Sequence, residues 1–200
     1  RERIVRRSTN WEWRNPIHES LFPVDPETKV LFGKTEEISV RHERREDALS
    51  PVQRNIDILL AAWEKNPQDG RVAMYLGYAY FSQQDFEKAI EWFEVFFSMT
   101  GITGDAWQGV MQSAKAHVML DRFETAIPLC FQAIAIAPQW ADPYFLLATI
   151  ACEDEQWEEA VWWDKLGRQA QRPMKALFVN PLDYTWRPEI VVHEALFRLG

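Results

Sequence analysis

The sequence predicts a mainly α-helical protein, in which an array of repeated helix pairs follows a small β segment. Three observations predict this fold class. Alanines recur at nearly constant spacing, since Ala126 lies 37 residues after Ala89 and Ala160 lies 34 residues after Ala126. Around Ala89, apolar residues return every three or four positions, which places them on one face of a helix. Residues 1–43 instead alternate in short strand-like runs, and three prolines there limit helix formation.

The composition of the 200 residues excludes several functional classes. The net charge of −8 argues against unassisted binding to nucleic acid or to an anionic membrane, because both require a dense basic surface. Apolar residues make up 47% of the chain, which suits a buried core and argues against disorder. No run approaches the roughly 18–20 apolar residues of a membrane span, and no signal peptide is predicted. We therefore expect a cytoplasmic protein, in which Cys130 and Cys152 are small buried side chains.

Two pairs of short strands are predicted in the N-terminal segment. Arg3–Arg7 and Trp11–Trp13 flank the turn-like Ser8-Thr9-Asn10, and further strands are predicted at Lys29–Phe32 and Glu37–His42. Four short strands do not form an independent core. Because the sequence also opens on Arg rather than Met, we expect the chain to be a fragment from which the rest of this sheet is missing.

The helical array begins with a helix predicted at Arg54–Lys65, the second helix of an incomplete leading repeat. The next repeat contains Leu76-Gly77-x-x-Tyr80 followed by Ala89-x-x-x-Phe93. This spacing resembles the tetratricopeptide repeat, a pair of antiparallel helices that buries its apolar stripes only by stacking on its neighbours. The matching positions of the later repeats are Ala126, Cys130 and Pro138, and then Tyr144, Leu147, Ala148, Ala160 and Pro173. The longer first spacing predicts a short insertion around Thr100–Gly104.

The resemblance implies that the first helices of the repeats form a concave groove that binds a partner. The side chains expected to line it are Arg71, Met74, Tyr78, Phe81, Gln108, Met111, Lys115, Met119, Asp142, Phe145 and Thr149. Tetratricopeptide domains that bind the acidic C-termini of chaperones do so with repeated Lys and Asn side chains. Only Lys115 is cationic near the centre of this groove, so that partner class is disfavoured. An alternative is that the groove is filled by the chain's own flanking segments.

A second resemblance concerns the N-terminal segment. The motifs Arg3-Ile-Val-Arg-Arg, Trp11-Glu-Trp13 and Pro16-Ile17-His18-Glu19 follow one another in this order. Together they resemble the C-terminal end of the catalytic domain in family 2 glycosyltransferases of the GT-A type, some of which carry a tetratricopeptide tail. The later runs Arg54–Leu60 and Leu177–Arg187 resemble that tail.

This resemblance implies specific roles for two residues. His18 would contact a divalent metal ion, Mn or Mg, or the diphosphate of a nucleotide sugar, and Glu19 would lie beside it as a catalytic residue near the acceptor. Imidazole nitrogen is a suitable ligand for such an ion, which offsets charge on the departing diphosphate. The chain contains no Asp-x-Asp motif and no Gly-rich phosphate loop, so we expect it to bind no cofactor and to be inert alone.

Two functions follow from these resemblances. The preferred one is the C-terminal region of a glycosyltransferase, in which the array binds the acceptor, docks on the missing catalytic domain or self-associates into a homo-oligomer. The alternative is a stand-alone adaptor that binds a peptide or protein partner in the groove. The expected division of the chain is into a catalytic-domain end at 1–43, a connecting helix at 44–68, repeats at 69–175 and a C-terminal segment at 176–200.

Overall fold

The computed structural model describes residues 10–17, 20–29, 50–101, 106–171 and 184–200. Two strands and eight helices lie within these ranges. Their bounds are β1 Trp11–Arg14, β2 Ser20–Pro23, α1 Pro51–Lys65, α2 Gly70–Ser82, α3 Phe86–Thr100, α4 Trp107–Val118, α5 Phe123–Ile136, α6 Asp142–Glu153, α7 Trp157–Gln169 and α8 Trp186–Leu199. Among these described helices, none has both the length and the apolar character needed to cross a lipid bilayer.

The strands β1 and β2 form one antiparallel hairpin, in which Trp11 lies opposite Pro23. β1 confirms the predicted strand at Trp11–Trp13. β2 was not predicted, because the prolines of this segment were interpreted only as a limit on helix formation, whereas a proline at the end of an edge strand is compatible with pairing. The other predicted strands fall on residues 1–9 and 30–49, outside the described residues, except for Lys29.

Side-chain caps fix where the first three helices begin. The side chain of Ser50 accepts a hydrogen bond from the backbone N–H of Gln53, and Asp69 and Asp85 cap α2 and α3 in the same way. Gly101 ends α3 with a φ of 66°, a left-handed conformation that costs glycine little. The helix therefore stops where the sequence predicted an insertion. α1 begins at Pro51, somewhat before the predicted start at Arg54.

Packing between helices follows the order of the chain. α2 packs on α3, α4 on α5 and α6 on α7, so three antiparallel pairs stack in succession. The first helices of the pairs also contact one another directly, since α4 lies against both α2 and α6. We call this row of first helices, α2, α4 and α6, the inner wall. α8 contacts α6 and α7 and so takes the place of the first helix of a fourth pair.

Small residues let the two helices of each pair approach closely. Ala89, Ala126 and Ala160 have no exposed surface, which matches their predicted place in the helix interfaces. In the first pair, Gly77 on α2 faces the ring of Phe93 on α3, and that ring is also fully buried. Aromatic rings thus occupy space that a larger residue on the facing helix would need.

Replacing Gly77 with Ala is expected to destabilise the array. An ideal Cβ atom at Gly77 would lie 2.6 Å from the ring of Phe93, which is itself fully buried. Overpacking costs about 1–3 kcal/mol, and a contact this short belongs to the upper part of that range, against a gain of about 1 kcal/mol for Ala over Gly in a helix, so we expect a net loss of up to about 2 kcal/mol. Chemical denaturation of both proteins measures this difference.

The double variant Gly77→Ala/Phe93→Leu provides the control, because the smaller side chain at position 93 leaves room for the new methyl group. It should lose less stability than the two single variants together. Strictly additive losses would contradict this packing argument.

His117 is a buried histidine on α4, the central helix of the inner wall. Its residue surface is 8% exposed, and its buried Nδ1 atom has no hydrogen-bond partner among the residues that the structure describes. Burial, and then the positive charge of Arg122, lowers the pKa of His117 below its ordinary value, while Glu94 and Glu87 offset part of this effect. The folded array therefore favours the neutral imidazole.

The unfolding free energy should depend on pH through His117. Because the folded-state pKa is lowered, the unfolded chain takes up the proton first as the pH falls below the ordinary histidine value of about 6.5. The stabilising contribution is present above that pH and is lost as the pH falls toward the folded-state pKa. His117→Phe keeps an aromatic ring that does not titrate, so it should lose less stability than the parent between about pH 7 and about pH 5. Urea midpoints at both pH values test this, and equal losses would assign the acid sensitivity to other groups.

Candidate functional site

The inner wall holds the side chains that the sequence predicts for the groove, but it does not expose them equally. Arg71 on α2 is exposed, and Met119, at the C-terminal end of α4, is 59% exposed. The partly exposed members of the set are Met74, Phe81, Gln108, Lys115, Asp142, Phe145 and Thr149. The remaining two, Tyr78 and Met111, are buried.

Tyr78 and Met111 are core side chains. The ring of Tyr78 packs edge-on against Phe93, with 5.4 Å between the ring centroids, and burial raises the pKa of its hydroxyl. Met111 is 2% exposed and belongs to an apolar cluster with Trp107 and Val110. The 3.6-residue period placed both on the inner side of their helices, but it could not show that neighbouring segments cover them.

Phe145 of α6 packs against α7. An ideal Cβ atom at Gly167 would lie 2.6 Å from the Phe145 ring, so this contact requires a glycine on the facing helix. Asp142, at the start of α6, accepts a hydrogen bond from the hydroxyl of Tyr184, which precedes α8. The α6 part of the inner wall therefore has structural roles in joining neighbouring helices.

The hairpin covers part of the α2 end of the inner wall. Ile17, just after β1, is 8% exposed and lies in one apolar cluster with Tyr75 and Tyr78 of α2. Arg71, on the same helix, donates a hydrogen bond to the Tyr75 hydroxyl at 3.2 Å and places its guanidinium 5.1 Å from the centre of that ring. The chain's own N-terminal segment thus occupies space that the sequence left open to a partner.

Two clefts touch the inner wall only at α6, through Ile150 in one and Tyr144 in the other. The larger, of about 470 Å³, opens at the turn between α4 and α5 and includes Arg122 among its lining residues. The guanidinium of Arg122 is paired with both carboxylate oxygens of Glu87 on α3, so this arginine ties two neighbouring helix pairs together. The smaller cleft, of about 280 Å³, lies where Pro138 and Gln139 face the C-terminal end of α7.

Reactive side chains are scarce in the part of the chain that the structure describes. No group of three or more His, Cys, Asp or Glu residues there could hold a metal ion. Burial raises the pKa of the Cys130 thiol to about 12, and it raises the pKa of Cys152 as well, so neither sulfur is an activated nucleophile. His18 and Glu19, the residues assigned to metal binding and catalysis, lie outside the described residues.

Comparisons with known proteins identify the fold. No family model matches the sequence, and no curated protein matches it either. Among solved structures, MamA from MSR-1 is 20% identical with a TM-score of 0.54, over 59% of this chain and 66% of that one. MamA 41-end from Desulfovibrio magneticus RS-1 is 17% identical with a TM-score of 0.53, over 58% of this chain and 64% of that one. This chain thus spans slightly less than two thirds of these MamA chains.

A third similar structure is the TPR2B domain of yeast Sti1 in a complex with pHsp70. It is 20% identical with a TM-score of 0.52, and the match covers 64% of this chain and 97% of the Sti1 domain. TPR is the abbreviation of tetratricopeptide repeat, so the described array has the fold that the spacing of Ala89, Ala126 and Ala160 predicts.

The resemblance to a family 2 glycosyltransferase is wrong. The similar structures are MamA and a TPR domain, and nothing in these comparisons indicates a GT-A catalytic domain. Short motifs carried that resemblance through their order alone, and Trp11–Trp13 forms one strand of a two-stranded hairpin whose loop packs on the first repeat. The metal ion and nucleotide sugar implied for a parent enzyme rested on the same motifs. The chain is a tetratricopeptide-type helical array preceded by a small β hairpin.

Proposed function

We propose that this chain is an interaction scaffold whose inner wall binds a segment of a partner protein. The observation that carries the proposal is Met119, an apolar side chain left 59% exposed on a wall where neighbouring residues are packed. A similar fold in yeast Sti1 is found in a complex with pHsp70, so this architecture is able to hold a polypeptide. The proposal makes the array at 69–175 the binding unit, flanked by segments 44–68 and 176–200.

The binding surface consists of the groove residues that stay accessible. On α2 and at α4 these are Arg71, Met74, Phe81, Gln108, Lys115 and Met119. We exclude three predicted groove residues from the binding surface, because their side chains are packed against the array itself. They are Tyr78, Met111 and Phe145. The hairpin also makes the accessible surface on α2 smaller, because Ile17 packs in the apolar cluster of that helix. We therefore assign the main contact with the partner segment to α4 and the C-terminal end of α2.

The chemistry of this surface favours a partner segment with apolar side chains. Met119 is flexible and polarisable, and such residues adapt to ligands of different shape. Phe81 adds an aromatic ring, which packs edge-on against Phe86 with 5.3 Å between centroids. Lys115 contributes one cation, which suits a partner with an occasional acidic residue. Repeated Lys and Asn side chains for a terminal carboxylate are missing from the predicted groove set, so a chaperone C-terminus is a poor fit.

The substitution Met119→Glu tests the proposed surface. Peptides selected from a displayed random library with the immobilised chain should bind this variant at least about 10-fold more weakly, because the contact would lose apolar area and gain a charge. Fluorescence titration with each selected peptide measures the change. The unfolding free energy should stay within about 0.5 kcal/mol of the parent value, because Met119 is a surface residue.

Ile58→Glu is the matched control, since Ile58 is 39% exposed but lies on α1, outside the inner wall. This variant should bind the selected peptides as the parent does. Equal weakening by both substitutions, or unchanged binding to Met119→Glu, would refute the assignment of the site to the inner wall.

A further inference from the structure

The second helices of the three pairs, α3, α5 and α7, form another row, which we call the outer wall. Three aromatic rings meet on it. The ring centroid of Trp163 on α7 lies 5.9 Å from that of Phe131 on α5 and 4.5 Å from that of Trp162. Phe131 is 48% exposed and Trp162 is 52% exposed, whereas Trp163 is buried. We call these three rings the outer aromatic surface.

Trp163 gives the outer aromatic surface a fixed base. Its ring also packs against Tyr144 of α6, with 6.3 Å between the centroids. Its indole N–H donates a hydrogen bond to the Glu159 carboxylate at 2.9 Å, so the buried polar atom of the ring is satisfied. The two exposed rings therefore rest on an ordered side chain. A partner that binds them pays little additional entropy for ordering this base.

The repeat spacing shows that the position of Trp162 faces outward in each pair. Trp162 corresponds to Pro128 in α5 and to Glu91 in α3, because each lies two residues after the interface alanine of its helix. All three are exposed, and the first two pairs are each followed by another pair, so a following pair does not cover this position. Ile190 and Phe197, on the outer face of α8, differ in that the second helix of a further pair would cover them.

The outer wall loses its charge between α3 and α5. Glu91 and Glu94 of α3 are exposed carboxylates, and the corresponding positions of α5 hold Pro128 and Phe131. From residue 125 to residue 141 the chain contains no charged side chain. Exposed apolar residues at positions that are charged in the preceding pair are typical of a surface that contacts a partner.

Carboxylates lie beside the outer aromatic surface at one end only. Glu158 and Glu159 precede Trp162 by one helical turn, on the same side of α7. No described cation forms an ion pair with either carboxylate. Lys165 follows Trp162 by one turn, so it lies at the opposite end. The surface thus presents an apolar centre with negative charge on one side and a single cation on the other.

We infer that the outer aromatic surface binds a segment of a partner protein in which an arginine lies beside an apolar side chain. The exposed indole of Trp162 offers a flat face on which a guanidinium stacks, and Glu158 lies close enough to pair with its charge. Phe131 contacts the apolar neighbour. Lysine fits less well, because an ammonium group has no plane to stack. Lys165 repels a cation at its own end, so the arginine is directed toward the N-terminal end of α7.

This inference goes beyond the proposed function, because it concerns a different wall of the array and a segment of different chemistry. The inner wall exposes Met119 near one lysine, whereas the outer aromatic surface combines indole and phenyl rings with carboxylates. The two surfaces can therefore be tested separately.

Differential selection from a displayed random peptide library tests the outer aromatic surface. The full chain is the bait, and peptides that also bind the Trp162→Glu variant are discarded. The retained peptides should be enriched in arginine next to an apolar residue, relative to the unselected library. Fluorescence titration should show that they bind Met119→Glu as they bind the parent, because the inner wall is not involved.

The double variant Glu158→Gln/Glu159→Gln tests the role of charge. Glutamine at position 159 still offers an oxygen to the Trp163 indole, so the packing is retained. The variant should bind the retained peptides about 10-fold more weakly at low salt, and the difference should shrink at high salt, where the attraction is screened. Replacing the arginine of a retained peptide with lysine should also weaken its binding.

Glu91→Gln/Glu94→Gln is the matched control, because it removes the same two charges from exposed positions of α3. This control should bind the retained peptides as the parent does. Thermal melts followed by circular dichroism check the fold of each variant. If Trp162→Glu melts well below the parent, Glu158→Gln/Glu159→Gln takes its place in the differential selection.

Four results would overturn the inference. No peptide distinguishes the parent from the variant, or the peptides that do so are not enriched in arginine. The two double glutamine variants weaken binding equally, or Met119→Glu weakens it as Trp162→Glu does. The last result would assign the peptides to the inner wall and would leave the proposed function intact.

Discussion

The close approach of two helices within each pair is the constraint on which the array depends. Gly77 and Gly167 each face an aromatic ring at a distance that leaves no room for a side chain. Alanines at the corresponding interfaces, Ala89, Ala126 and Ala160, have no exposed surface. Since each pair buries its apolar stripe only against its neighbours, a loss of close packing at one interface removes support from the next pair.

This architecture separates structural from interacting residues. Side chains that the helical period places on the inner wall divide into those that join helices, such as Phe145, and those that remain accessible, such as Met119. The outer face of α8 is a second accessible apolar surface, and Arg168 holds it in a fixed orientation through ion pairs with Asp164 and Glu189. These two accessible apolar surfaces lie on different parts of the array, one at the C-terminal end of α4 and the other on α8.

The fold was predictable because its signal is periodic. The spacing of small residues and the apolar stripe gave three helix pairs, and capping residues such as Asp69 and Asp85 lie where those helices begin. Strand β2 was missed because the prolines around it resemble breakers in a single sequence. The β hairpin was assigned to a catalytic domain because short motifs in a fixed order resemble many families, and no spacing rule constrains them as it constrains repeats.

The candidate site was less predictable than the fold. A helical period tells which side of a helix a residue occupies, but burial depends on what else packs there. Tyr78 packs on Phe93 of the facing helix, and its apolar cluster also includes Ile17, about sixty positions earlier in the sequence. The packing of Ile17 near Tyr78 joins two segments that are far apart in sequence, and no local sequence pattern predicts it. Met111, in contrast, is covered by residues of the neighbouring helices. The exposed stripe on α8 was open to prediction from its period, but only the structure shows which face of that helix meets α6 and α7.

The docking of the hairpin through Ile17 also has a consequence for the order of folding. Contacts within and between adjacent helix pairs join residues that are near in sequence, and such contacts form quickly. The cluster that receives Ile17 is made by α1, α2 and α3, so it exists only after those helices have packed. Of the hairpin's other large apolar side chains, Trp13 and Val24 are more than half exposed and Phe22 is 40% exposed. We therefore expect the hairpin to dock after the helices have packed, and its detachment to uncover Tyr75 and Tyr78.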